Sequence, residues 1–384
     1  MDFDLSEEQT LLKQSVERLL ADRYAFEKRK NFQAAPEGWS REIWSRYAEL
    51  GLLGLPFSEQ HGGSDGGPVE TMIVMEALGR ALALEPYLAT VVLAGGLMRR
   101  GGSAAQQAAL LPQIAEGNLV VAFAHGERQA RFDLADIATR ARRDGAGWLI
   151  EGEKSLVLHG DSADRLIVSA RTTGERTERA GIALFLVDGV AKGVSRRGYP
   201  TQDGMRAAEI SLASVRVGAD ALIGEAGGGL PLIERVVEDA IAALAAEAVG
   251  AMAALVELTV EYLKTRKQFG VAIGSFQALQ HRAADMLIAL EQARSMALLA
   301  TMMAGSDDAT ERRKTIQAAK VQIGRSARFV GQQAVQLHGG IGMTQEYKAG
   351  HYFKRLTMID MMFGDADHHQ RLLAREGGLF GANS

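Results

Sequence analysis

YLKTRKQFGVAIGSFQ, residues 262–277, joins two long helical patterns through a tight basic and aromatic corner. Tyr262 and Arg266 are four residues apart, so they share a helix face near its C-terminal end. Arg266, Lys267, Gln268 and Phe269 then set a cation, an amide and a ring around Gly270. Arginine forks onto phosphate oxygens and phenylalanine covers a flat ring, so the corner suits a ligand carrying both. A helix C-cap with a dipole-friendly cation and a buried Phe explains the same letters without any ligand.

QLHGGIGMTQEY (336–347) poses the same choice. Gly339 and Gly340 close a long helix, and their missing side chains let a ligand approach backbone amides. An αL cap is the plain alternative, although one glycine would serve for that.

Outward from these corners the chain changes texture twice. Apolar residues keep a helical period over 231–265, 275–304 and 309–337, far beyond the usual length of roughly 11 residues. The small-residue face AALAAEAVGAMAAL (242–255) packs closely in bundles and subunit interfaces. Between about 119 and 225, LVVAFA, GWLIEGEKSLVLHG, DRLIVSA, IALFLVD and AEISLASVRV read as short strands of a mostly antiparallel sheet. RRD and GERTERAG read as charged turns between them.

Residues 1 to about 117 return to helix. Ser6 and Gln9 form a capping box ahead of Leu12, Val16, Leu19 and Leu20, while Ile43, Trp44, Tyr47 and Leu50 run to a capping Gly51. HGGSDGGP (61–68) is a loop, because no βαβ pattern surrounds it. The expected fold is α+β: an N-terminal helical domain at 1–118, a middle antiparallel β domain at 119–226, and a C-terminal four-helix-bundle domain at 227–384.

The chain has 384 residues, a net charge of −4 and no cysteine. That charge gives no reason to expect nucleic acid. The missing cysteines exclude disulfides, thiolate metal sites and cysteine nucleophiles. No uncharged apolar run approaches the roughly 18 residues of a membrane span, and the N-terminus lacks a signal core, so a cytoplasmic protein is expected.

Tyr-x-x-x-Arg-x-Gln-Phe-Gly, then Phe276-Gln277, then Gln-x-His-Gly-Gly about sixty residues on, resembles the acyl-CoA dehydrogenase family over nearly the whole chain. The resemblance implies a flavoprotein that oxidises the Cα–Cβ bond of an acyl-CoA thioester. A carboxylate takes the α-proton and FAD N5 takes the β-hydride. It also implies that the ADP half of the FAD held by a neighbouring subunit meets Arg266, Gln268, Phe269, Ile273, Phe276, Gln336, Leu337, Gly339 and Gly340.

Other family positions have changed. The Glu-Gly-Thr base segment, 23 residues beyond Gly340, reads Phe363-Gly364-Asp365. The alternative base, 22 residues before Tyr262, is Ala240, and the arginine that relatives place near CoA is Ile241. The flavin-wrapping Thr-Glu-Pro-x-Ala-Gly-Ser-Asp aligns with Gly126–Asp133 and keeps only Glu127, Ala130 and Asp133. Lys-x-Trp-Ile-Thr has become Lys154-Ser155-Leu156-Val157-Leu158.

The ADP-gripping half therefore survives while the flavin-ring, CoA and base half is eroded. That pattern resembles the small subunit of two-component, pimeloyl-CoA dehydrogenase-like enzymes, whose large partner carries the glutamate. The resemblance implies an α2β2 heterotetramer in fatty acid degradation (β-oxidation), an acyl-CoA substrate, dicarboxylic in the pimeloyl-CoA-like case, and an electron-transfer flavoprotein as acceptor.

Three other readings stay open: a self-sufficient homo-oligomer using Asp365 or Asp367 as base, a non-catalytic structural subunit, and a different reaction on an acyl-CoA. MMFGDADHHQRLLAR (361–375) bears on the first of these. Adjacent histidines on a helix point about 100° apart, so His368 and His369 are not expected to share a metal. Asp365 and Asp367 fit either a relocated base or an N-cap with an acidic first turn. Asp239 and Glu247, close to the alternative base position, are expected in solvated or interface salt bridges.

Overall fold

The computed structural model describes residues 5–377. Residues 1–4 and 378–384, which the sequence reading assigned to the terminal domains, lie outside the described residues. The chain divides into two compact units. One gathers the segment up to Lys30, Pro68–Ala83 and everything from Ile241; the other takes Asn31–Gly67 and Leu84–Ala240.

The leading helices are α1 (Glu7–Arg23), α2 (Phe26–Ala34), α3 (Arg41–Glu49), α4 (Pro68–Ala81), α5 (Gly95–Gly101) and α6 (Ala104–Ala115). Ser6 and Gln9 make the reciprocal capping box at α1, and Val16 and Leu20 form its buried stripe. Ser40 caps α3 by accepting from the Ile43 amide, and the helix stops at Gly51, whose φ of 71° favours glycine. A buried π-helical stretch over Tyr87–Ala94 precedes α5 and has no sequence signature.

The β elements are β1 (Val121–Ala124), β2 (Arg140–Asp144), β3 (Gly147–Leu158), β4 (Arg165–Arg171), β5 (Ile182–Asp188), β6 (Val194–Pro200), β7 (Arg206–Val217) and β8 (Leu222–Ile223). They form one eight-stranded sheet in the order β6-β7-β3-β2-β4-β5-β8, with β1 paired to β4. Pairing is antiparallel except for β1 with β4 and β2 with β4. β4 and β5 are almost wholly buried, which explains their unbroken apolar letters.

The RRD stretch is a correction: Arg142, Arg143 and Asp144 lie in β2, opposite Leu149, Trp148 and Gly147. The two residues between β2 and β3 close a hairpin, and the Arg143 guanidinium stacks 4.0 Å from the Trp148 ring centre. The arginines face water on a strand whose only buried residue is Ala141, so the run hides its strand character.

The C-terminal part contains α7 (Gly229–Thr265), the short strands β9 (Lys267–Gln268) and β10 (Val271–Ala272), α8 (Gln277–Ala304), α9 (Ala309–His338), α10 (Lys348–Met361) and α11 (Ala366–Arg375). Helices α8, α10 and α11 each pack on α9. Close approach of α4 to α7 rests on two glycines. A Cβ at Gly79 would sit 2.0 Å from the Glu247 carbonyl oxygen, and one at Gly250 would sit 1.9 Å from that of Glu76. Helix α7 is long and apolar enough to cross a membrane, but 83% of its most apolar stretch is buried, as in a core helix.

Candidate functional site

The basic–aromatic corner is a miniature hairpin. The Arg266 amide donates to Tyr262 O at 2.8 Å, ending α7, and the Ile273 amide donates back to Arg266 O at 2.8 Å. Gln268 pairs with Val271 and Lys267 with Ala272, leaving Phe269 and Gly270 as the two-residue loop. Both have positive φ, 55° and 83°, as a tight hairpin turn requires. Phe269 accepts a conformation that bulky residues avoid, and it is 90% exposed. The buried-Phe reading is therefore wrong.

Phe276 stands edge-on to Phe269, with ring centres 6.2 Å apart. Arg266 is exposed and makes no ion pair among the described residues. Among the described residues, Gln268 spends its amide on the neighbouring Lys267 carbonyl alone.

The glycine corner is brought to the same place. α9 ends at His338, and Gly339 follows with φ 62° and ψ −143°. That is not the αL cap considered from sequence; it is a conformation essentially reserved for glycine. A Cβ at Gly339, Gly340 or Gly270 would meet nothing within 4 Å, so the space above all three is open. The Leu337 side chain is buried, whereas Gln336 is exposed.

His338 links the two motifs. Its ring lies 4.6 Å from that of Tyr262 and 5.1 Å from that of Tyr347, and its Nδ1 donates to Ala334 O at 2.8 Å. Burial lowers its pKa, favouring the neutral ring. Neither His338 nor Tyr347 is a site residue expected from the sequence, although both sit inside the quoted stretch 336–347.

An exposed ring, an unpaired guanidinium and open backbone glycines fit a nucleotide with phosphates. Ile273 closes the hairpin through its backbone.

The base positions tell the opposite story. Ala240 is fully buried on α7. Phe363 is half-buried between α10 and α11 with φ 57°, and its carbonyl accepts from His369 Nε2 at 2.9 Å. Neither side chain takes a proton. Asp365 is the N-cap of α11: its Oδ1 accepts from the His368 amide at 2.8 Å. Asp367 is exposed in the first turn.

The His368 and His369 rings stand 88° apart in plane, with His369 turned to Phe363 O. Beneath this turn the buried Lys320 donates to the Ile359 and Asp360 carbonyls that end α10, and burial pushes its ammonium down to about 8. Asp365→Ala should cost about 1 kcal/mol, the usual worth of an N-cap, read as a shifted urea midpoint.

In the other unit, Glu127 proves to be structural. Its carboxylate accepts from Lys154 Nζ at 2.7 Å, Gln129 Nε2 at 2.7 Å and the Ala138 and Thr139 amides at 2.7 and 3.1 Å. Burial opposes the charge, yet the Lys154 ammonium with the Gln129 and Thr139 donors outweighs it and holds the carboxyl at about 2. Lys154 also donates to His125 O and Ser169 Oγ, and burial lowers it to about 8. The motif letters that survive here brace the loop between β1 and β2. Leu156, in the lost tryptophan's place, is half exposed with φ 52°.

The two acids near the alternative base position are paired. Asp239 binds Arg100 at 2.6 Å and Arg235 at 3.4 Å. Glu247 takes a bidentate grip from Arg355 at 2.6 and 2.8 Å with both side chains 6% exposed, so its bridge is buried rather than solvated.

A helical–β–helical chain with an open basic and aromatic corner has the architecture of a flavin-dependent dehydrogenase. The acyl-CoA dehydrogenase N-terminal, middle and C-terminal domains match residues 6–118, 122–215 and 227–378. Acyl-CoA dehydrogenase FadE12 of Mycobacterium tuberculosis is 31% identical over 353 residues, covering 90% of this chain and 89% of that one. The FAD complex of PigA matches with a TM-score of 0.90 at 28% identity, over 99% of this chain and 100% of the other. The ChsE4–ChsE5 complex from Mycobacterium tuberculosis matches with a TM-score of 0.87 at 26% identity, over 98% of each. This chain belongs to the acyl-CoA dehydrogenase family. It is an oxidoreductase fold that uses FAD.

Proposed function

We propose that this chain is the small subunit of a two-component acyl-CoA dehydrogenase, supplying its ADP-binding corner to a large partner in an α2β2 assembly. One observation carries the reading. An open and intact nucleotide corner coexists with Phe363 and Ala240 at the two positions where relatives keep a carboxylate. A chain selected only for its fold has no need of a 90% exposed Phe269. The likeness to ChsE4–ChsE5, itself a complex of two differently named chains, supports the same division.

Bound FAD would supply the hydride acceptor. The chain's own part is to hold the nucleotide end: Arg266 at the phosphates, Phe269 and Phe276 on the rings, and Gly339 and Gly340 leaving room for the backbone to approach. The partner would supply the base that removes the α-proton and the pocket that selects the acyl group, a pimeloyl-like dicarboxylic acyl-CoA. An electron-transfer flavoprotein would take the electrons, in the cytoplasm.

The test is assembly. The tagged chain, purified from the cell that makes it, should bring a longer acyl-CoA dehydrogenase chain in a 1:1 ratio with bound FAD. Arg266→Ala should leave the assembly intact and lower its flavin content at least tenfold at fixed free FAD, as loss of a charged phosphate contact should. Unchanged flavin content would make the chain a structural subunit only. A homo-oligomer that turns over, and stops on Asp367→Asn or Asp365→Asn, would place the base here instead.

A further inference from the structure

The two halves of the nucleotide corner hang from different helix ends. The Arg266 hairpin follows the last turn of α7, and Gly339 and Gly340 follow the last turn of α9. A guanidinium and a stretch of glycine backbone can grip one ligand only if the spacing of those two ends is fixed.

Three rings meet where that spacing is set. Tyr262 lies one turn before Arg266, His338 is the last residue of α9, and Tyr347 is the N-cap of α10. Ring centres are 4.6 Å apart for Tyr262 and His338, 5.1 Å for His338 and Tyr347, and 6.3 Å for Tyr262 and Tyr347. The three contacts close a triangle, so no ring turns without disturbing both others.

Each ring is tied directly to the corner. The Tyr262 carbonyl accepts the Arg266 amide at 2.8 Å, and His338 is bonded to Gly339. The turn after the glycines folds back over the same histidine: a Cβ at Gly342 would lie 2.9 Å from the Cβ of His338. Just before Tyr347, the Gln345 carbonyl accepts from His351 Nε2 at 3.0 Å, which pins that segment to α10.

His338 itself is 3% exposed, so a ligand in the open corner does not reach its ring. Its Nδ1 donates to Ala334 O, one turn back in its own helix. The hydrogen bond thus serves α9, while the faces of the ring serve the two tyrosines.

We propose that His338 is the positioning residue of the corner: held between Tyr262 and Tyr347, its ring sets the spacing at which Arg266 and the Gly339–Gly340 backbone grip one nucleotide. The inference rests on the nucleotide reading of the corner, and it holds whether the flavin belongs to a large partner or to a second copy of this chain.

The experiment measures FAD release. The flavin-loaded protein, as purified from the cell that makes it, is diluted in steps, and freed FAD is read by its fluorescence to give a dissociation constant. His338→Gln keeps a donor for Ala334 O but removes the ring, and it should weaken FAD about tenfold, the worth of two lost ring contacts. His338→Phe keeps the ring and loses the donor, and it should bind FAD as the native chain does even where its Tm falls. Tyr347→Leu removes one contact from a half-buried position and should weaken FAD about threefold; it decides the matter if His338→Gln does not fold. Unchanged affinity in His338→Gln, with Arg266→Ala weakened, overturns this inference alone. Unchanged affinity in both overturns the nucleotide reading and this inference with it. Equal losses in His338→Gln and His338→Phe also overturn it, because the ring would then not be what sets the corner.

Discussion

Glu247→Ala should destabilise the protein by about 3–5 kcal/mol, because it takes the bidentate carboxylate away from a buried Arg355 side chain, 6% exposed. The pair joins α7 to α10 through two hydrogen bonds of 2.6 and 2.8 Å. In a unit of this size the loss corresponds to a fall in Tm of about 10 °C. The double variant Glu247→Leu with Arg355→Met should recover most of it, since two apolar side chains leave no buried charge. Differential scanning calorimetry of the two variants separates the cases. A loss below about 1 kcal/mol for Glu247→Ala would mean that Arg355 finds water, and that the pair is not sealed as described.

The second large effect is acid sensitivity. Burial holds His125 at about 3 and His369 at about 4, against 6.5 when free. Between pH 6.5 and about 4 the unfolded chain binds protons that the folded one refuses, so stability falls as pH falls. Each histidine contributes a slope of about 1.4 kcal/mol per pH unit in that window. From pH 6.5 to 4.5 the two together remove about 5 kcal/mol. The Glu127 carboxyl adds to the loss only at lower pH, because it is held at about 2.

Urea midpoints at pH 7, 6 and 5 read this directly. His369→Gln keeps a donor for the Phe363 carbonyl and should reduce the slope by about one histidine's share. An unchanged slope would show that His369 is not the buried neutral ring described.

Features written within a few residues of one another were legible in the sequence. The capping box at Ser6, the stop at Gly51, the long helices and the paired glycines all follow from local rules. So did the N-cap role of Asp365, one of the alternatives the letters left open.

What the letters concealed depends on distant partners. Glu247 and Arg355 are 108 residues apart, and Glu127 meets Lys154 across 27. Neither carboxylate reveals its burial by itself. β2 was hidden because its arginines face water and a stacked Trp148 rewards the strand form. The letters leave the 262–277 corner open between a cap and a ligand turn, because a bulky residue at positive φ, as at Phe269, is the less expected choice.

The most direct test of the central claim uses this chain alone, without air. Bound FAD per chain is counted from the visible spectrum, then octanoyl-CoA and pimeloyl-CoA are added and the flavin band is followed. A chain that carries a nucleotide corner but neither base nor flavin-ring contacts should hold little FAD, and whatever it holds should stay oxidised. Full occupancy with rapid bleaching by either acyl-CoA would contradict the account, because it would require a base that Phe363 and Ala240 cannot be.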